Sequence, residues 1–137
     1  MEEKIKVEGL AQLNKSLRAM DKDAPKQLRI TLNDVASGFA DRVKPEIPQE
    51  TGAAARSVVA RSTRTSARVA VGGRRAPYFP WLDYGGEGRI KGRPSKREFI
   101  RAGRYVYPTL KRYRPEIERE LQEGLSDLIR DSGLDAS

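Results

Sequence analysis

Leu28, Leu32, Val35, Phe39 and Val43 recur at steps of four, three, four and four residues, and this pattern restricts the fold more than any other in the chain. The spacing puts all five side chains on one face of an α-helix. The helix it predicts is roughly five turns long and ends near Pro45. Asp23 is placed to cap its start, with Pro25 in the first turn, where a missing amide costs nothing. The opposite face is polar, so the helix should cover a sheet rather than be buried all round.

The segments on either side supply that sheet. Lys4-Ile5-Lys6-Val7 alternates like a short strand closed by Glu8-Gly9, and Leu10, Leu13, Leu17 and Met20 then follow a helical spacing. Pro48 to Gly52 is expected to be a loop. Ser57 to Arg64 and Ala67 to Gly72 read as two strands joined at Thr65-Ser66. The aromatic segment after Pro77 is expected to add a short strand ending at Gly85, and residues 86–97 to form an exposed loop. Pro108 and Pro115 argue against one continuous helix after Phe99, because each removes an amide and crowds the preceding turn. The prediction is a short helical piece, then a helix from about Pro115 to Asp131. Ile117, Leu121, Leu125, Leu128 and Ile129 would face inward, Glu116, Glu118 and Glu120 would lie in the first turns, and Gly133 would end it. The expected fold is one α+β domain over residues 1–137, a small antiparallel β-sheet packed against a long amphipathic helix and a C-terminal helix.

At 137 residues there is room for one modest core, and so thin a core gains from a neighbouring subunit. The chain has no cysteine and no histidine, which removes disulfides, thiolate chemistry, and the commonest general base and metal ligand together. No cofactor or metal is expected. No apolar run is long enough to span a membrane, and the start Met1-Glu2-Glu3 is unlike a signal peptide, so a cytoplasmic setting, or a particle assembled there, is expected. The net charge of +8 is unevenly placed. Residues 56–114 hold 16 Lys and Arg against 3 Asp and Glu, whereas residues 115–137 hold 2 against 7. Such polarity suits contact with a polyanion, or head-to-tail contact between copies of the chain.

The window Pro77 to Gly86 concentrates four aromatic rings. Tyr78, Phe79, Trp81 and Tyr84, with Leu82, are expected to be core and subunit-interface anchors, stiffened by Pro77 and Pro80. Arg89, Lys91, Arg93, Lys96 and Arg97 follow directly, and with Arg74 and Arg75 they are the candidates for contact with DNA or a partner. No helix carries the Arg, Asn and Gln set of a recognition helix, so any DNA contact should be non-specific and salt-dependent. Gly72-Gly73 and Gly85-Gly86-Glu87-Gly88 fit no phosphate-loop pattern and read as turns. Asp83 is the one acid in a setting of interest, and a turn or a salt bridge accounts for it better than catalysis does. An enzyme is not expected.

The order of these features has a parallel. Pro48-x-x-Thr51-Gly52 leads to Arg56-Ser57-Val58 and a hairpin. Pro77-Tyr78-x-x-x-Leu82-x-Tyr84-Gly85 follows, then a basic loop, Arg97-x-Phe99-Ile100-x-Ala102 and a closing helix. This set resembles the small neck proteins of long-tailed bacteriophages, the head–tail joining or tail-completion family, over nearly the whole chain. The resemblance implies a virion protein without catalysis, assembled in the host cytoplasm. It would be a ring subunit, six copies to a ring, stacked between head connector and tail tube, with other neck proteins and the tail tube as partners and non-specific contact with genomic DNA in the lumen. Pro48, Thr51, Gly52, Gly85 and Gly86 are its motif turns. A tail-terminator ring and a free-standing non-specific nucleic-acid-binding protein are the alternatives.

Overall fold

The computed structural model describes residues 2–5, 9–20, 22–49, 52–74, 76–90 and 92–131. Thr51, Arg75 and Lys91, together with Lys6, Val7 and Gly133, lie outside the described residues. The architecture is α+β. Strand β1 (Glu2–Ile5) is followed by helix α1 (Leu10–Met20) and the long helix α2 (Ala24–Val43). A tight 3-10 turn at Lys44–Glu46 leads to the single-turn helix α3 (Ala53–Arg56), then to strands β2 (Val59–Ala60) and β3 (Ala67–Ala70). Helix α4 (Phe79–Tyr84), the strand pair β4 (Gly86–Ile90) and β5 (Arg93–Arg97), and helix α5 (Val106–Asp131) complete the chain.

The period that predicted α2 gives its buried stripe. Leu28, Leu32, Val35, Phe39 and Val43 are all buried, joined by Ala36 and Ala40. One side of α2 covers the antiparallel sheet β1-β3-β2 and the other packs on α5, with α1 alongside. Strand β3 sits centrally and alternates, with Ala67 and Val69 buried and Arg68 and Ala70 half-buried, as a sheet covered on one face should. The expected hairpin is present. Its ladder continues past the short β2 through Arg61 N to Arg68 O and Thr63 N to Ser66 O, at 2.8 and 2.9 Å. Asp23 stands at the start of α2, but its side chain makes no capping hydrogen bond; its carbonyl receives the amides of Lys26 and Gln27 instead.

Three expectations are corrected. The aromatic segment is a helix, not a strand: Pro80 occupies the first turn of α4, where its lack of an amide is harmless, whereas in a ladder it would break a bond. Residues 86–97 are not a loop but a second, two-stranded sheet with Gly86 paired to Arg97 and Ile90 to Arg93. The C-terminal region is one helix of 26 residues that runs through both prolines. Pro108 falls in its first turn, where amides have no helical partner anyway. Pro115 lies in the interior, and α5 continues because it is fastened to the core before it by Val106 and Thr109, and after it by Ile117 and Leu121. Tertiary burial thus outweighs a local penalty of about 3 kcal/mol. Glu116, Glu118 and Glu120 are consequently mid-helix, too far from its start to meet the helix dipole.

Candidate functional site

The basic hairpin β4–β5 stands on a mount built by α4, the segment 98–105 and the start of α5. Its foundation is Phe79, fully buried in the core, with Leu82 packed against that core. Helix α4 closes on Gly85, whose amide bonds to Trp81 O at 2.7 Å. Gly85 has φ +85°, and a Cβ there would lie 2.0 Å from Glu98 O, so only glycine lets the two hairpin ends pass this closely. Just beyond, Ile100 N bonds to Tyr84 O at 2.8 Å. The base of the hairpin is therefore stitched on both strands.

Asp83 locks this base to α5. It is fully buried, and its Oδ1 accepts the backbone amides of Arg104 at 2.7 Å and Tyr105 at 2.8 Å, immediately before the first residue of α5. The negative end required by the helix dipole thus comes from another element, since the first turn of α5 holds no acid of its own. Arg104 returns the contact: one guanidinium nitrogen donates to Asp83 O at 3.0 Å and the other to Glu98 O. Gly103, at φ +77°, would place a Cβ 3.0 Å from Asp83 Oδ1, so the turn must present bare backbone to the carboxylate.

Trp81 props the hairpin from beneath. Its indole nitrogen donates to Gly86 O at 3.1 Å, and Gly88 lies so close that a Cβ would be 2.4 Å from the ring. Arg97 lies over the same ring at 5.7 Å and donates to the Tyr105 hydroxyl at 3.0 Å. Arg97 therefore belongs to the mount as much as to the cationic surface.

The register separates the remaining cations. Glu87, Arg89, Pro94 and Lys96 share the outer face, around a shallow open hollow of about 600 Å³. Arg93 projects from the opposite face near the tip, and Arg74 is exposed on the turn after β3. Glu87 and Lys96 are 3.9 Å apart and both 85% exposed, a pair that contributes little. Among the described residues, Arg89 reaches only the Gly92 carbonyl, at 3.3 Å. This outer face thus carries two solvated cations, Arg89 and Lys96, against the carboxylate of Glu87, without the fixed polar groups of a small-molecule pocket.

The other predicted anchors divide. Tyr78 is exposed, while Tyr84 is half-buried beside Gly103. Pro48 is exposed in the strap after α2, which Gln49 pins by donating to Lys44 O and Ile47 O, both at 2.8 Å. Gly52 opens α3 at φ +73°, and Gly86 opens β4 at φ +97°. Sequence reasoning missed Ser57, whose buried hydroxyl donates to Ala54 O and accepts from Gly72 N, tying α3 to the end of β3. It also missed Gly103 and Arg104, although a glycine directly before a helical segment was a visible signal.

Among the described residues, no three acids gather as a metal site would require. Asp83 is enclosed, with Oδ1 held by two amides and Oδ2 buried without a hydrogen-bond partner among the described residues. No helix among them is long and apolar enough to cross a membrane. No family model matches the sequence, and neither a curated protein nor a solved structure matches it.

Proposed function

We propose that this chain is a structural, non-catalytic subunit of a phage neck or tail end, forming a ring that completes the tail or joins head to tail. The observation that carries the reading is the hairpin itself: an exposed cationic arm held by buried groups at its root. Such an arm can meet DNA in a lumen, or a neighbouring ring, without ordering a loose segment, which keeps the entropy cost of contact low. The order of sequence motifs and the opposed charges of the middle and end of the chain support the same reading. Head-to-tail contacts between identical copies close into rings when the rotation allows.

The test is the combined change Arg89→Ala, Lys91→Ala and Arg93→Ala. The reading expects fewer joined particles or loss of packaged DNA, with the protein still folded. Fully infectious particles at normal yield overturn the role of the arm. The excess of cations in residues 56–114 also favours a second reading, a free-standing non-specific DNA-binding protein. Tight duplex binding by the isolated monomer, falling steeply with added salt, selects that reading; weak binding together with ring formation on partner proteins selects the ring subunit.

A further inference from the structure

We infer that the apolar knob at the start of α5 in one copy docks on the groove between α2 and α5 of a second copy. The inference rests on the ring reading and names the surfaces that would join. Five large apolar side chains stand out of the described surface, and three of them, Phe99, Ile100 and Tyr107, fall within nine residues. Phe99 is 65% exposed. Tyr107 also lines an open hollow with Ala102, Pro108 and Leu110, rimmed by Lys111 and Arg114, so this stretch offers apolar surface where a contact can form.

The surroundings of the knob specify what covers it. Arg101, Lys111 and Arg114 are exposed beside it, and no carboxylate lies within ion-pair distance of them among the described residues. At the far end of α5 the chemistry is reversed. A groove of about 570 Å³ runs between α5 and α2, with Thr31, Val35, Gly124 and Leu128 supplying apolar surface. Its remaining walls hold Gln27, Asp34, Glu120, Asp127 and Asp131, and among the described residues no Lys or Arg lines it. Arg42 holds Glu120 and Arg130 holds Asp127 and Asp131, which leaves the groove with four carboxylates against two guanidiniums. Gly124 lets the two helices approach closely at the floor of this groove: a Cβ there would be 2.9 Å from Thr31 Cγ2.

One molecule cannot join its own two patches. Tyr107 and Asp127 are 20 residues apart on a single helix, a separation of about 30 Å. A basic-rimmed apolar knob and an acid-rimmed apolar groove at opposite ends of a rigid rod therefore meet only between copies. The contact is heterologous, each copy giving its knob to one neighbour and its groove to the other.

Charge exchange tests this. One variant carries Lys111→Glu and Arg114→Glu, the other Asp127→Lys and Asp131→Lys; all four positions are exposed, and circular dichroism checks that the helices persist. Sedimentation of the wild type should give a multimer, each variant alone should associate at least about a hundredfold more weakly, and an equimolar mixture should recover. A wild type that stays monomeric, or a variant that still assembles alone, overturns the contact. Phe99→Ser provides a neutral probe and should also dissociate the multimer. Dissociation by Phe99→Ser without recovery in the charge mixture places the knob against a different surface of the neighbouring copy and overturns the proposed groove contact. Recovery in the mixture with the chain absent from particles keeps the contact and removes the neck reading. Rings in particles built from the charge-reversed variants do the opposite.

Discussion

Asp83 and two glycines hold more of this structure than their size suggests. Asp83→Ala removes a buried acceptor from the amides of Arg104 and Tyr105, and a loss of about 2–3 kcal/mol in urea unfolding is expected. Asp83→Asn keeps an acceptor oxygen and should cost about half as much. Equal losses for the two would mean that the charge, not the acceptor, matters at the start of α5. Gly85 and Gly86 give a second contrast, since both have positive φ but only Gly85 is hemmed in by backbone. Gly86→Ala should cost about 1–2 kcal/mol, the ordinary penalty of that conformation. Gly85→Ala must also displace Glu98 and should cost upwards of about 3 kcal/mol. The sequence marked Asp83 as unusual but could not disclose its role, because its partners are peptide groups 21 and 22 residues away. A peptide amide leaves no trace in a residue pattern.

At the scale of elements, long amphipathic segments were legible and short ones were not. Helix α2 announced itself because each inward residue obeys the helical period over its whole length. Helix α4 is six residues long, too short for a period to separate helix from strand. The hairpin was hidden for another reason: the half-buried positions of β5 are Ser95 and Arg97, so its inside–outside alternation leaves no apolar–polar pattern in the sequence. Its order depends on Trp81, which the sequence presented only as one aromatic among four. Trp81→Ala should speed amide exchange across 86–97 by at least about tenfold, by local opening, and leave the amides of α2 unchanged. Unaltered exchange in the hairpin would remove Trp81 from the mount. In α5, Pro115 favoured a break, and packing on α2 prevented it. Pro115→Ala should therefore stabilise the protein, by about 1–3 kcal/mol, with no change of fold.

Across the whole molecule, the two charged regions read from the sequence become places. The cationic segment includes an arm fixed at its root and the rim of an apolar knob, while the acidic segment is the distal half of α5 beside α2. Composition announced the polarity, yet only the continuity of α5 sets its two ends far enough apart to make contact within one copy impossible. On the proposed contact, that separation is what would let opposite charges join identical subunits. Imaging the necks of purified particles by electron microscopy, with the copies of this chain counted, tests that account most directly. The account predicts a closed ring of identical copies at the junction of head and tail, and particles whose necks lack the chain, or hold it as a single copy, contradict it.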